Sequence, residues 1–398
     1  ISRRKVWLSD HDVVDRLDVF DGAKFFEDRG RRMIALAEPA LRSWIPPEKK
    51  GFVREVLREP VGPVLVLAPW NYPWLTAVNT VVPALMAGCS VVLKHSDQTP
   101  LVAERFAEAA AEAELPPGGF QIGHATDERT ATLVSDRRVK FIAVTGSVAG
   151  GRTVARTALE SSFVGVGLEL GGKDPAYVAP DADLDQAVEN LVDGSFFNSG
   201  QSCCGVERIY VNSDVYEPFV EKFAALTRTY VLGDPREAET TLGPVVRRRN
   251  AHAIQNQIKR AITAGATPLI AEGFPGTDRG LPYLAPQVLV DVTDDMLVMR
   301  EETFGPVVGI ASCSSEAEAV RRMNDSPYGL TASIWTQSVD RARKIATALE
   351  TGTVFLNRCD ALDPDLAWVG VKDSGRGCTL SPFGYEQLTR PKSLHFRL

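Results

Sequence analysis

The amino-acid sequence predicts an α/β fold in which parallel sheets are covered by helices on both faces. Continuously apolar runs such as Val64–Ala68 alternate with longer amphipathic runs from residue 61 onward. Strands buried on both faces belong to parallel sheets with helical connections. Length is the further observation, because 398 residues predict two to three structural units at about 150 residues each.

The first sheet and its helices are predicted within residues 61–166. Gly88 ends the first helix, and Thr99 with Pro100 supplies an N-cap and a first-turn proline for the second. The predicted strands are 64–68, 90–94, 120–122, 139–144 and 163–166, and the predicted helices are 71–87, 100–115 and 148–159.

A second α/β region is predicted to begin near Leu170, with a glycine- and proline-rich loop at 273–282 inside it. Its predicted helices are 184–195, 216–230, 246–264, 315–323 and 340–351, and its predicted strands are 208–211, 287–290, 307–311 and 354–357.

Bulk composition excludes several classes of function. A formal charge of -7 gives no electrostatic footprint for nucleic acid, and the sequence has no apolar run long enough to span a membrane. No cluster has metal-ligand spacing, so we expect no metal site. The six cysteines follow neither a metal pattern nor a secreted disulfide pattern, which favours reduced thiols and a cytoplasmic protein. Because the chain opens on Ile1, we expect a processed or partial product.

Two residues stand out as chemical candidates, the thiol of Cys203 and the carboxyl group of Glu169. A cysteine is an intrinsically good nucleophile, and a glutamate in a partly dry pocket can activate water. A buried inert thiol and a structural ion pair are the alternatives. A cysteine–histidine hydrolase is a further alternative, although none of the five histidines has a suitable local setting.

A glycine-rich turn at 146–153 follows a predicted strand and opens a predicted helix. Such a turn presents free backbone N–H groups to a phosphate. It resembles a P-loop, but Arg152 stands where that motif requires lysine, and the dinucleotide pattern GxGxxG is absent. A turn needed only for tight packing is the other interpretation.

Seven short motifs, in this chain order, resemble the NAD(P)-dependent aldehyde dehydrogenase superfamily from about Asp15 to the C-terminus. They are Pro69-Trp-Asn-Tyr-Pro73, Val92-Leu-Lys94 with Asp97-Gln-Thr-Pro100, Thr145-Gly-Ser147, Leu168-Glu-Leu-Gly-Gly-Lys173, Gly200-Gln-Ser-Cys203, Glu301-Glu-Thr-Phe-Gly-Pro306 and Asn324-Asp-Ser-Pro-Tyr-Gly329. The family usually carries a longer N-terminal segment than this chain has ahead of Asp15.

The resemblance implies the aldehyde dehydrogenase fold, which combines a Rossmann-like cofactor-binding domain, an α/β catalytic domain and a small β oligomerisation segment. Mapped onto this chain, residues 1–40 and 61–169 form the NAD-binding domain, with its N-terminal part incomplete. Residues 170–376 form the catalytic domain. Residues 41–60 and 377–398 form the oligomerisation segments, whose open strand edges predict a homodimer or homotetramer.

The resemblance also implies the chemistry. Cys203 attacks the aldehyde, Asn71 and the Cys203 backbone N–H hold the oxyanion, and Glu169 activates the water that hydrolyses the thioester. A coenzyme-A-acylating enzyme is the alternative. Such an enzyme needs no general base, so the presence of Glu169 argues against it. A truncated, non-catalytic homologue that acts as a binding or scaffold protein is another alternative.

The cofactor implied by the resemblance is NAD, with NADP possible. Asp97 favours NAD because a carboxylate at the ribose repels a 2′-phosphate, whereas Lys94 acts in the opposite direction. The implied cofactor-binding residues are Pro69, Trp70, Lys94, Asp97, Gly146, Ser147, Gly171, Glu302 and Phe304.

The substrate is implied to be a small-molecule aldehyde bound in a mostly apolar, aromatic tunnel. This lining has no arginine for a carboxylate, which favours a neutral hydrophobic or aromatic aldehyde. At 367–372 the chain departs from the family's common pattern, a change expected to alter specificity. The implied lining residues are Tyr72, Trp74, Phe197, Ser202, Cys204 and Trp368.

Overall fold

The structure, a computed structural model, describes residues 21–398, with side chains from residue 24. The described residues form two compact units. The Cys203 unit contains Gly171–Ala361 and Gly370–Ser374, and the Glu169 unit contains 21–170, Leu362–Val369 and Gly375–Leu398.

The regular elements are numbered in chain order. The helices are α1 (Asp21–Leu41), α2 (Pro73–Met86), α3 (Pro100–Glu112), α4 (Asp127–Val134), α5 (Val148–Ser161), α6 (Leu184–Phe196), α7 (Tyr216–Thr227), α8 (Arg248–Thr263), α9 (Leu297–Arg300), α10 (Glu316–Asn324) and α11 (Val339–Ala348). The strands are β1 (Phe52–Pro60), β2 (Val64–Ala68), β3 (Val91–His95), β4 (Phe120–Ile122), β5 (Phe141–Thr145), β6 (Gly165–Glu169), β7 (Asp174–Val178), β8 (Val206–Asn212), β9 (Thr267–Pro268), β10 (Gln287–Val290), β11 (Val307–Cys313), β12 (Tyr328–Gly329), β13 (Thr331–Trp335), β14 (Thr353–Leu356), β15 (Val371–Lys372), β16 (Gly375–Arg376) and β17 (Thr389–Arg397).

The Glu169 unit contains a six-stranded sheet in the order β16-β6-β5-β2-β3-β4. All neighbours run parallel except β16, which is antiparallel to β6. Strand β2 is apolar and buried along its whole length, as expected for a central parallel strand. The parallel arrangement brings the carboxyl ends of β2, β3, β5 and β6 to one edge of the sheet.

A separate two-stranded ribbon in the same unit pairs β1 with β17, from Phe52 opposite Arg397 to Pro60 opposite Thr389. Apolar side chains are exposed on or beside it, namely Trp44, Ile45, Val53, Phe396 and Leu398. A two-stranded ribbon is marginally stable by itself in water, and exposed apolar patches of this kind are typical of interaction surfaces.

The Cys203 unit contains a seven-stranded sheet in the order β14-β13-β7-β8-β11-β10-β9. Its neighbours are parallel apart from the short β9. Strands β7, β8 and β13 are buried at every position, and two apolar clusters pack in this unit.

The structure confirms the α/β class and most of the predicted elements, with 64–68, 120–122 and 287–290 matching to the residue. The predicted strand 163–166 instead runs Gly165–Glu169, and the sequence analysis did not identify α1, α4, β7 or β13. The two units divide between Leu170 and Gly171, next to the predicted boundary. The division of labour predicted for the three segments stays a prediction.

Candidate active site

Cys203 follows a loop that the main chain holds in an unusual conformation. After α6, Asn198 and Ser199 have φ values of 52° and 57°, and Gly200 has a φ of 69°. Residues other than glycine rarely adopt this left-handed conformation, so the loop is strained. A side chain on Gly200 would place its Cβ only 2.1 Å from the carbonyl oxygen of Gly305. The loop can therefore follow this path only with glycine at position 200.

Hydrogen bonds fix the same loop on both sides of Gly200. The Ser199 hydroxyl donates to the Gly243 carbonyl at 2.7 Å, and the Val246 N–H donates to the Gln201 side-chain oxygen at 2.8 Å. Ser199 and Gln201 are buried, which makes these bonds costly to break. The position of Cys203 is thus set by its preceding chain.

The two adjacent cysteines have different environments. Cys203 is partly exposed, whereas Cys204 is buried and its thiol donates to an Asp360 carboxylate oxygen at 2.9 Å. The contact with Cys203, burial and the charge of Asp360 raise the pKa of Cys204 well above its usual range. Cys203 is therefore the more accessible of the two thiols.

Asp360 is a residue that the sequence analysis missed. Its carboxylate also accepts a hydrogen bond from the Ser202 hydroxyl at 3.4 Å. The predicted lining residues Ser202 and Cys204 therefore share a carboxylate partner, and the prediction of a mostly apolar wall omits this charge. No motif marks Asp360, which has a φ of 51° and lies 157 residues after Cys203 in the chain (360 − 203).

Gly171 and Gly172 pack against the nucleophile's segment and against Glu302. A Cβ on Gly172 would lie 2.9 Å from the Cys203 carbonyl oxygen, and one on Gly171 would lie 2.1 Å from a Glu302 carboxyl oxygen. The Gly172 N–H donates to the same Glu302 oxygen at 3.1 Å. Burial, followed by the negative charge of Glu207, raises the pKa of Glu302 to about 8.

A buried ion pair holds the segment that carries Glu302 and Phe304. Lys173 pairs with Glu207 and donates to the Thr303 hydroxyl at 2.9 Å. The Glu207 carboxylate accepts from the backbone N–H groups of Thr303 at 2.8 Å and Phe304 at 2.9 Å. Because these donors satisfy a buried charge, the pair fixes this segment's geometry more than it adds stability.

In the Glu169 unit, the carboxyl group of Glu169 lies at the end of β6 between two hydroxyls. Thr145 donates to one oxygen at 3.3 Å, and Thr379 donates to the other. Burial raises the pKa of Glu169 above its usual value, while Thr379, Thr145 and the charge of Arg29 lower it. These opposing effects suit a general base, whose useful pKa lies closer to neutral than that of an exposed glutamate.

Six of the predicted cofactor-binding residues lie at one edge of the Glu169 unit's sheet. The register places Lys94 beside Leu67 on β2, and Leu67 beside Val144 on β5. Ligands of open α/β sheets bind outside the carboxyl ends of such strands. Those six residues are Pro69 and Trp70 after β2, Lys94 and Asp97 at the end of β3, and Gly146 and Ser147 after β5.

Ser147 caps the 14-residue helix α5, since its hydroxyl accepts from the Gly150 N–H at 3.2 Å. The space that a Cβ on Gly146 would enter has no atom within 4 Å. An open glycine turn at a helix N-terminus fits a phosphate group. This turn is the one that the sequence analysis singled out.

The predicted oxyanion donor Asn71 and the remaining predicted lining residues lie in several settings. Asn71 is buried, Tyr72 precedes α2, and Phe197 is partly exposed after α6. The ring of Trp74 packs within the Glu169 unit, 5.4 Å from Phe26 and 5.5 Å from Phe106 between centroids. Trp368 is buried and pairs with Thr379 through two backbone hydrogen bonds.

The structure thus gathers the predicted residues in two groups. Gly171, Phe197, Ser202, Cys203, Cys204, Glu302 and Phe304 belong to the Cys203 unit, and the other predicted site residues belong to the Glu169 unit. Across residues 21–398, no group of three or more histidine, cysteine or acidic side chains could hold a metal ion. None of the helices that the structure describes is long and apolar enough to cross a membrane.

These features define an α/β protein that has an accessible cysteine after a strained loop and a sheet edge of the kind at which nucleotides bind. The chain belongs to the aldehyde dehydrogenase family, because the model of that family matches residues 16–394. The predicted resemblance and fold are therefore confirmed.

Similar proteins agree with this assignment. Retinaldehyde dehydrogenase 3 of Mus musculus is 38% identical over 341 residues, which are 85% of this chain and 66% of that protein. Succinic semialdehyde dehydrogenase from Streptococcus pyogenes, solved in complex with NADP+, is 30% identical to this chain in sequence. The two structures superpose with a TM-score of 0.85 over 95% of this chain and 81% of that protein's chain. The structure of betaine aldehyde dehydrogenase from Staphylococcus aureus in complex with NAD+ is 26% identical, with a TM-score of 0.86, and covers 94% of this chain and 83% of its own. The chain spans just under two thirds of the length of the mouse relative.

Proposed function

We propose that this protein oxidises an aldehyde to a carboxylic acid through a thioester on Cys203, using NAD or NADP. The observation that carries the proposal is the contrast between the partly exposed Cys203 and the buried, Asp360-bonded Cys204. A partly exposed thiol that follows a strained loop is the arrangement expected of a nucleophile.

The first step is the attack of the Cys203 sulfur on the aldehyde carbon. The Asn71 side-chain amide and the Cys203 backbone N–H are the proposed donors to the oxyanion, a role in which one donor contributes roughly 3 to 4 kcal/mol. A nicotinamide dinucleotide, when bound, accepts the hydride that leaves this carbon. The open turn at Gly146 and Ser147 fits its phosphates, and Lys94 and Asp97 would hold its adenosine ribose, with Glu302 and Phe304 at the nicotinamide end.

Release of the acid needs a water molecule and a base, the role proposed for Glu169. Its raised pKa and the two hydroxyls that hold its carboxyl group support the assignment. A coenzyme-A-acylating enzyme would need no such base. Hydrolysis is therefore favoured over acyl transfer to a thiol.

The cofactor preference is proposed to lean toward NAD. Asp97 is exposed just beyond β3, where a carboxylate would repel a 2′-phosphate. Lys94 lies at the end of the same strand and would attract that phosphate. The related structures contain both forms of the cofactor, one each.

The substrate is proposed to be a neutral, hydrophobic or aromatic aldehyde. The carboxylate of Asp360 contacts Ser202 and Cys204, the residues on either side of Cys203. A substrate with its own carboxylate would meet a like charge there, at an energy that grows as water is excluded. The negative charge of Asp360 is therefore the reason to disfavour semialdehyde acids.

We also propose a cytoplasmic homodimer or homotetramer joined through the β1–β17 ribbon. The ribbon's exposed apolar side chains and open edges support pairing with a second subunit. All six cysteines are present as thiols in the structure, which agrees with a reducing compartment.

The proposal is tested by following NADH formation across an aldehyde panel, with and without coenzyme A. We expect Cys203→Ala to abolish turnover and Glu169→Gln to give one burst of NADH before stalling as the thioester. Matched controls are Cys313→Ala, which removes a buried thiol of β11, and Glu189→Gln, which alters an exposed carboxylate of α6. Turnover by Cys203→Ala at the parent rate would eliminate the mechanism.

A further inference from the structure

Both oxygens of the Glu169 carboxyl group are bound by threonine hydroxyls. The Thr379 hydroxyl donates to one oxygen and the Thr145 hydroxyl donates to the other at 3.3 Å. Hydroxyl donors favour the ionised carboxylate, and two of them also restrict its rotation. A carboxylate has about four lone-pair sites, so it can still accept a proton from a water molecule.

The backbone fixes both threonines in place. Thr145 ends β5 directly beside Glu169 in the parallel register of β5 and β6. Thr379 is buried, and its N–H and carbonyl pair with Trp368 at 2.9 and 2.8 Å. The backbone therefore sets the positions of both threonines without help from the Glu169 side chain, and their hydroxyls hold the carboxyl group there.

Three other titratable groups lie around this carboxyl group. Arg29 of α1 is the nearby positive charge and itself donates to the Asn79 side chain at 3.1 Å. Cys378 stays protonated at neutral pH, because burial and the negative charge of Glu169 raise the pKa of its thiol to about 11. Arg376 of β16 donates to the Val166 carbonyl at 3.2 Å.

We propose that Thr379, supported by Thr145, is a positioning residue that holds Glu169 in the ionised, aligned state needed to hydrolyse the thioester. This inference rests on the proposed function. It assigns the threonines to deacylation alone, because Glu169 takes no part in the attack by Cys203 or in hydride loss.

The test measures the NADH burst and the steady-state rate from pH 6 to 9 for Thr379→Val, Thr379→Ser and Thr145→Val. We expect Thr379→Val to keep the burst but to lose about tenfold in steady-state rate at neutral pH, the effect of one hydrogen bond to a charged group. The pKa of Glu169 should rise without its donor, so the deficit should shrink as the pH rises. Intact-mass measurement should show acylated Cys203 accumulating.

Thr379→Ser keeps a hydroxyl at this position, so its pH profile should match that of the parent. Thr145→Val should shift the profile in the same direction as Thr379→Val. Thr132→Val, on the exposed face of α4, is the matched control. The inference is overturned if Thr379→Val has the parent's pH profile, or if it slows the burst and the steady state by the same factor at every pH. If instead Glu169→Gln turns over normally, the proposed function itself has failed. Should Thr379→Val not fold, Thr145→Val decides by the same two criteria.

Discussion

The two units present their chemical groups in opposite ways. In the Glu169 unit the candidate residues follow the carboxyl ends of parallel strands, and Glu169 is held by side-chain hydroxyls. In the Cys203 unit they precede the amino ends of β7, β8 and β11, and Cys203 is positioned by left-handed backbone and glycine contacts. The position of the nucleophile thus depends on main-chain geometry, whereas the position of the base depends on side chains that a substitution can replace.

This contrast predicts different responses to substitution. A nucleophile held by backbone should tolerate few changes in its loop, because an added Cβ has no room. A base held by hydroxyls and a nearby charge should tolerate substitution with a change in pKa and rate. Evolution can therefore tune deacylation with single substitutions more easily than it can tune the first attack.

The largest effect should come from Gly200→Ala. The variant combines a left-handed residue with a 2.1 Å contact to the Gly305 carbonyl, so we expect the free energy of unfolding to fall by about 3 to 5 kcal/mol. Denaturant unfolding measures this change in stability, and NADH formation measures the accompanying loss of activity. Gly123→Ala is the control, since its Cβ would meet no atom within 4 Å. Equal stability of the two variants would break the contrast on the cysteine side.

An intermediate effect is expected from Arg29→Met. Arg29 is buried and donates to Leu75 and Asn79, so its loss should cost about 1 to 3 kcal/mol of unfolding free energy. Because its charge lowers the pKa of Glu169, the variant should deacylate more slowly at neutral pH and recover at higher pH. Stopped-flow NADH traces against pH measure this change. The control is Arg31→Met, which removes an exposed ion pair with Glu27, and an unshifted profile in Arg29→Met would contradict the prediction.

The smallest effect is expected from Asp360→Asn, which should change selectivity rather than the rate of attack. Removing the charge should raise kcat/KM for a semialdehyde acid relative to a neutral aldehyde of similar length. We expect an increase of up to about tenfold, because water partly screens the repulsion between the two carboxylates. Competition kinetics between the two aldehydes measure the ratio. Asp363→Asn, an exposed neighbour, is the control. A ratio unchanged by Asp360→Asn would remove the electrostatic argument for a neutral substrate.

Much of the fold could be predicted because apolar runs and caps are local signals. The pair Thr99-Pro100 located the start of α3, although the Thr99 hydroxyl makes no capping bond and instead contacts the His95 ring at 3.1 Å. The apolar run 64–68 located a central strand. Strand β13 was missed because Thr331 and Ser333 interrupt its apolar pattern, although both are buried in the sheet. Burial of polar residues in a central strand depends on partners that the sequence does not reveal.

Sequence motifs marked Cys203, Glu169 and Ser147 as candidates, and their roles stay predictions. No motif marked Thr379 or Asp360, since each acts through a contact with a residue more than 150 positions away. For Trp74, the motif implies a wall of the substrate site, and the structure adds that its ring contacts Phe26 and Phe106 within the Glu169 unit. Its part in substrate binding stays a prediction.

The close fit between Gly171 and Glu302 carries a consequence for divergence and for engineering. The carboxyl group occupies the volume that any side chain at position 171 would need, so a residue larger than glycine there requires Glu302 to shorten or to turn to another rotamer. Either change would move the Glu302 carboxyl group away from the Gly172 N–H. A designed library that varies position 171 should therefore vary position 302 together with it.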